Sequence, residues 1–471
     1  MVSMSQGVGI KVVRALQHLQ ARRAYSPHNR FLEGPFAPLP TEHTSTELVV
    51  QGEIPAELNG VLARIGPNPR RVDNPATYHW FMGDGMVHGL RLENGRAVWY
   101  RNRYVGSDAV RAERGLPPAP GPRRGIAETV NTNIIGHAGR LWALVEAGAY
   151  PVALDGELNT EKFGLFNSTL NRGFTAHPHL DPASGELHAI CYDGFEHNRV
   201  RYLVITPDGQ VRREVSIPVR HGPMMHDCAI TASQMVVLDL PVTFSVKEAL
   251  TGGALPYKWN PRHQARVGLL PREGEASDMC WYSVDPCFVF HTCNAYDTPE
   301  GDVVLDVVVH ERMFDGPRLA GPDAHGVTFE RWRLRKGHTQ VERQVISRET
   351  QEFPRFDERR TGLPYRYAYA VGIDLENPQP NAVICHDLDG GTTTRHVYGE
   401  RWMSGEVVFV PKHAKAAENE GWLLSYVHNL DNSPSHVVIL DAQKLGSAPQ
   451  AVIELPVRVP LGFHGNWIAD A

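Results

Sequence analysis

From about residue 40 onward the chain is a succession of short β-branched runs separated by turns, and few folds accept that pattern over such a length. The runs include RYLVIT at 201–206, MVVLDLPVTF at 235–244, DVVLDVVVH at 302–310, EVVFVP at 406–411, WLLSYVHNL at 422–430 and HVVILDA at 436–442. Their length and composition fit strands rather than helices. LRLENGRAVWY at 90–100 places Asn-Gly between two such runs, the strongest short hairpin signal. DPASGE, TPDGQ and DTPEGD are further turns. With 471 residues, 43 glycines, 35 prolines and few long helical patterns, the chain is expected to be an all-β sandwich, barrel or propeller. Length favours a seven-bladed β-propeller, with four strands and roughly 40–60 residues to a blade. No clean internal repeat is visible, so this expectation rests on strand density.

The 47 basic and 53 acidic residues give a net charge of −6 with no basic block, which excludes a nucleic-acid footprint. Six scattered cysteines without CxxC pairs read as buried reduced thiols of a cytoplasmic protein. No run of 18 or more apolar residues is present, so no helical membrane span is expected. Within residues 1–24, Val8, Val12, Leu16 and Leu19 fall near helical spacing among Lys11, Arg14, Arg22 and Arg23. That pattern fits an amphipathic helix on a membrane surface, a basic transit-like segment or a frayed start helix. Two stretches interrupt the strand rhythm: the Pro-rich, basic 107–125 and the insertion 246–275. Either is read as a loop that covers a pocket, touches a membrane or lies on the surface.

Four histidines lie in distinctive apolar or turn-rich settings: His177 in FTAHPHLDP, His226 in GPMMHDCAIT, His291 in CFVFHTCNAYD and His464 in PLGFHGNW. Their wide separation rules out a zinc finger or an HExxH helix. A propeller brings inner strands to one axis, so distant histidines can converge there. Imidazole suits iron, copper, nickel and zinc, so the ligand type leaves the metal open. The chain has 23 histidines, and one beside an apolar strand is more often a satisfied core residue than a ligand. His79, His88, His188 and His310 have no special claim. His179 competes with His177, because two residues apart on a strand point the same way. Ligating imidazoles usually give their second N–H to a carboxylate. Glu146 in LWALVEAG, Glu352 in QEFPRF and Glu406 in SGEVVFVP are carboxylates in apolar settings that suit this role.

These motifs carry a resemblance. The segments NRFLEGPFAPLPTE, GEIPAELNGVLARIGPNP, YHWFMGDGMVHGLRL, YRNRYV, NTNIIGHAGRLWALVEAG, TAHPHLDPASGELHA, MMHDCAIT, FHTCNAYD, QEFPRF, GEVVFVP and GFHGNW occur in order from Asn29 to Trp467. Together they resemble the carotenoid cleavage oxygenases, a family that also includes stilbene-cleaving dioxygenases and the retinoid isomerase. The resemblance implies one seven-bladed propeller domain over 29–471 with a loop and helical cap over the metal face, and leaves 1–28 as an extension. It implies Fe(II) on the axis, held by His177, His226, His291 and His464, and so favours His177 over His179. It implies orienting roles for Glu146, Glu352 and Glu406, and places Thr132 of VNTNII near a vacant coordination position. Four neutral imidazoles in an octahedral site leave room for O₂ beside a nearby substrate. A tetrahedral zinc with four histidines would instead be closed.

The implied reaction adds O₂ across one C=C bond and gives two carbonyl products. A polyene or stilbene needs an apolar tunnel, and Trp142, Phe174, Phe290 and Phe463 are candidate walls because each is close in sequence to a ligand or carboxylate. Stilbene-cleaving members carry a lysine immediately before the first glutamate, which binds the phenolic oxygen. This chain has Val145 there, so a carotenoid or apocarotenoid is the expected substrate and a stilbene the alternative. An isomerase and a non-catalytic carotenoid-binding propeller are more distant readings. Carotenoids lie in membranes, so peripheral membrane contact through 1–24 or 107–125 is also expected.

Overall fold

The computed structural model describes residues 28–470 apart from 125–127, 170–172, 195, 251–254, 317–325, 373–381 and 432. The helix expected within 1–24 lies outside the described residues. Seven antiparallel sheets of four or five strands make seven blades, and a small two-stranded sheet, Val242–Phe244 with Tyr257–Trp259, is added to them. The leading strands of the blades are Asn133–His137, His179–Leu180, Cys228–Ile230, Thr292–Asp297, Gln351–Phe356, Trp402–Pro411 and Gly465–Ala469. Most successive leading strands pack side by side around the axis.

Middle strands are sandwiched between neighbouring blades, which explains their continuous apolar runs. Val303–His310 is buried at every position. Outer strands face water on one side and alternate, as Val211–Pro218 does along its second half. The Asn-Gly hairpin forms as expected: Glu93 pairs with Arg96, and Asn94 and Gly95 both take positive φ, 49° and 74°, as a two-residue I′ turn demands. The ring closes by exchange of chain ends. Gly465–Ala469 pairs with Gly60–Pro67, while Val49–Gly52 pairs with Ala451–Glu454 on the last blade. An edge that would otherwise stay open is thus paired at both sides of the seam.

Both interruptions are more ordered than a loop. The stretch 107–125 contains the helix Asp108–Glu113, capped by the Ser107 side chain, and Arg123 ties it down through Asp108 while lying 4.0 Å over the Phe163 ring. The stretch 246–275 contains the short helix Val246–Leu250, one strand of the small sheet and the blade strand Arg266–Pro271. The Arg-rich, Pro-punctuated sequence of that strand hid it. Of the six free cysteines five are buried, but Cys280 is exposed.

Several histidines are neutral core residues. Burial, reinforced by Arg64 and Arg272, holds His88 and His188 down at about 3, and burial holds His386 at about 4. Their folded values lie below the unfolded value of about 6.5. Below that pH the unfolded chain binds protons that the fold does not, so this stabilisation is present above about 6.5 and lost as pH falls toward 3. Each group contributes up to about 1.4 kcal/mol per pH unit. His386→Gln is expected to flatten the decline by about that slope between pH 6.5 and 4, as read from denaturant midpoints across that range.

Candidate metal centre

Each of the four histidines stands at the entrance of a leading strand: His177 and His226 two residues before it, His291 and His464 one residue before it. The blades repeat this placement around the axis, so the four rings meet at one end of it. All four are buried, and one ligating nitrogen from each lies within 4.8 Å of the others. His177 is 4.4 Å from His464 and 4.6 Å from His226 between ring centroids.

Three rings are oriented by carboxylates. His226 Nδ1 donates to Glu146 Oε1 at 2.8 Å, His291 Nδ1 to Glu352 Oε2 at 2.6 Å and His464 Nδ1 to Glu406 Oε1 at 3.0 Å. Irregular backbone aims these glutamates. Glu352 and Glu406 sit in β-bulges, at 352/355 and 404/407, and bulges re-aim side chains. Glu352 is followed by Phe353 at φ 54° and Glu146 by Ala147 at φ 49°, left-handed values that non-glycine residues avoid outside constrained sites.

With Nδ1 protonated toward a carboxylate, each Nε2 carries a lone pair. Nε2 of His226 faces Nε2 of His291 at 3.3 Å, and the buried Nε2 of His177 has no hydrogen-bond partner. Lone pairs converging in a buried space suit a cation between them. Burial holds His177 well below the ordinary histidine value and lowers His464 as well, which keeps both as neutral donors. Burial also opposes charge on His291, but the Glu352 carboxylate overcomes it and raises that group. The donor set therefore fits a divalent transition metal. Glu406 has a second partner in Arg355, whose Nη1 is 3.3 Å from Oε1.

The structure separates His177 from His179. His179 Nε2 is bonded to Asp227 Oδ1 at 2.9 Å and is not available to the cluster. Sequence reasoning passed over Asp227, although it directly follows His226. It is 5% exposed, accepts from Cys228 N and, through Oδ2, from Thr292 N at 2.7 Å and Thr292 Oγ1 at 3.0 Å. One carboxylate thus joins the segments that carry His177, His226 and His291. Burial would raise its pKa, yet His179 and the backbone donors hold it below the usual range. Asp227→Ala strands a buried histidine and an amide. It is expected to cost about 3–5 kcal/mol of stability and to weaken metal retention, measured by thermal melts and metal analysis. His310 was also set aside, but its Nε2 donates to Glu352 Oε1 at 2.7 Å. The signal was available: a histidine ending a buried, mostly apolar strand.

A cavity of about 580 Å³ reaches His226, His291 and His464. Phe290 and Phe463 line it as expected, and Thr132 and Val145 do too. Phe353 also lines it and stacks on His291 at 5.3 Å. Trp80 and Phe81, from the 3-10 turn Trp80–Met82, pack on Phe463 at 4.6 and 5.5 Å. Trp142 and Phe174 do not line the cavity. Both are fully buried against Phe166, at 4.9 and 5.1 Å, in a core between blades. Their nearness in sequence to Glu146 and His177 was misleading: Trp142 lies in the strand Arg140–Leu144, which ends before Glu146, and Phe174 precedes the strand that begins at His179. The Thr132 hydroxyl donates to Asn131 Oδ1 at 3.0 Å, and its carbonyl accepts from His464 N at 3.1 Å.

The model of the family described as retinal pigment epithelial membrane protein matches residues 36–469. A carotenoid cleavage oxygenase of Mycobacterium tuberculosis is 40% identical, over 94% of this chain and 98% of that protein. A carotenoid 9,10(9',10')-cleavage dioxygenase 1 of Arabidopsis thaliana is 31% identical, over 99% of this chain and 95% of that one. The crystal structure of a lignostilbene dioxygenase of Pseudomonas brassicacearum superimposes with a TM-score of 0.85 at 28% identity, covering 94% of this chain and all of that one.

Proposed function

The chain belongs to the carotenoid cleavage oxygenase family, and from that membership and the four-histidine centre we infer a dioxygenase that cleaves a C=C bond of a carotenoid or apocarotenoid into two carbonyl products. The observation that carries this reading is the convergence of four buried imidazole donors at the wall of an aromatic-lined cavity.

His177, His226, His291 and His464 would hold iron(II). That metal supplies the one-electron chemistry that O₂ activation requires and zinc lacks. Glu146, Glu352 and Glu406 fix the tautomer of three ligands, so that each Nε2 stays unprotonated and aimed at the centre. The three carboxylates surround neutral rings with negative charge, which favours a divalent cation without occupying its coordination positions. Thr132, held by Asn131 on the cavity wall, would restrict the space beside the metal in which oxygen or water sits. Phe290, Phe353 and Phe463 exclude water and present flat apolar faces to a conjugated chain.

Val145 on the cavity wall offers no charge to a phenolate, which favours a polyene over a hydroxystilbene. No helix among the described residues is long and apolar enough to cross a membrane. Substrate entry from a membrane surface is supported by exposed Met82, Val246 and Leu250, since Met82 itself and Ala249 line the cavity. Mass spectrometry of products formed under ¹⁸O₂ tests the reaction. Labelled apocarotenoid carbonyls are expected. Labelled benzaldehydes from hydroxystilbenes alone would overturn the substrate, and unlabelled isomers would overturn the reaction.

A further inference from the structure

Two tyrosines interrupt the apolar wall of the cavity on the side of His226. Tyr192 is the next-to-last residue of the second strand of its blade, Leu187–Asp193, and Tyr257 comes from the small sheet. Both are over nine-tenths buried, and both line the cavity. Their rings meet edge to face at 5.8 Å, and Phe244 braces Tyr257 at 5.9 Å. A Cβ placed on Gly194, another lining residue, would stand 3.9 Å from the Tyr257 hydroxyl, so that hydroxyl ends at the cavity wall.

Several other buried tyrosines end on protein partners: Tyr202 on His188, Tyr365 on Asp306, Tyr426 on the Leu62 and His88 carbonyls. Tyr257 reaches no such partner among the described residues. Tyr192 interacts with the Glu146 carboxylate, and Tyr257 feels the same charge. Burial first, then that charge, raises both phenols well above their ordinary value, so both remain donors. Glu146 uses Oε1 for His226, while its buried Oε2 makes no hydrogen bond. The Tyr257 hydroxyl and the unbonded Glu146 Oε2 therefore border the same apolar space. A buried polar group left unpaired costs about 1–3 kcal/mol, so the arrangement calls for a complementary group.

We propose that Tyr257, Tyr192 and Glu146 Oε2 form a subsite for a hydroxyl group at the end of a conjugated olefin. A hydroxyl can accept from Tyr257 and donate to Glu146, whereas a carbonyl can only accept and a hydrocarbon can do neither. The notch lies one carboxylate away from His226, so it fixes how far from the metal the hydroxylated end sits and thereby which double bond is presented. The inference rests on the cleavage reading above and specifies its substrate as hydroxylated. The hydroxyl chemistry is shared by hydroxylated apocarotenoids and by hydroxystilbenes.

The test compares matched pairs: an apocarotenol with its deoxy analogue, and 4-hydroxystilbene with stilbene. Binding to the metal-free protein is read from quenching of tryptophan fluorescence, and cleavage by the iron-loaded protein is read separately. The wild type is expected to prefer the hydroxylated member of at least one pair by about 10- to 100-fold, and the pair that shows it identifies the source. Tyr257→Phe and Tyr192→Phe are expected to reduce that ratio roughly tenfold each, and the double variant to bring it close to one. Equal binding of both members of each pair by wild type overturns the subsite, as does a hydroxyl preference that survives in the double variant. Cleavage without hydroxyl preference removes the subsite and leaves the function. A tyrosine-dependent preference without cleavage removes the function and leaves the subsite.

Discussion

Alanine at His291 is expected to release the metal and abolish turnover. This ring is the most constrained of the four: Glu352 holds its Nδ1 at 2.6 Å, Phe353 stacks on its face, and its Nε2 opposes that of His226. Removing even an outer partner of a ligand typically costs about 10- to 100-fold in metal affinity or activity, so loss of the ligand itself sets that as a lower bound. Metal analysis after dialysis against a weak chelator reads the effect independently of turnover. His177→Ala is expected to retain more metal than His291→Ala, because the three remaining rings keep their carboxylates. Equal metal content in wild type and His291→Ala would remove this residue from the centre.

Glu352→Ala is expected to have the second-largest effect, on both metal and fold. Its carboxylate serves two histidines, His291 through Oε2 and His310 through Oε1, and Oε2 also accepts from Phe353 N at 2.7 Å. Burial alone would raise its pKa, yet the two histidines hold it far below the ordinary glutamate range. Removing one partner of such a buried cluster typically costs about 3–5 kcal/mol. Glu352→Gln restores the volume but offers His291 one acceptor oxygen and a competing amide donor. It is expected to recover most of the thermal stability while metal affinity stays about 10- to 100-fold weaker. Parallel melts and metal titrations separate the two effects. A Gln variant that binds metal like the wild type would leave Glu352 with a packing role alone.

The residues that were legible in sequence share a physical trait. Val303–His310 and its counterparts are buried on both faces, so burial alone marks them as strands. Asn94-Gly95 is legible because the backbone there needs positive φ. The four clustered histidines and the glutamates bonded to three of them stand out as polar groups in apolar or turn-rich segments, where an unpaired polar group would be costly. What was missed depends on three-dimensional detail. Whether Trp142 faces the cavity or the core is a matter of strand register and of the bulges that shift it. Asp227 looks like any carboxylate after a turn until three ligand segments meet around it. His310 belongs to a different strand from His291 and becomes relevant only through the carboxylate they share.

The seam of the ring has a consequence for assembly. His464 leads the strand that shuts the first blade, and backbone bonds to Ile65 and Thr132 hold it there. The other three histidines of the cluster precede it along the chain and belong to blades formed without that strand. A chain whose final strand is undocked therefore offers three imidazoles and no finished centre. A cation held by all four would then work as a clasp: it would bind tightly only to the shut ring, so its occupancy would select that state by mass action. Opening must break coordination as well as the Gly60–Pro67 pairing. Chelation should shorten the lifetime of the native ring more than it shifts any single local contact.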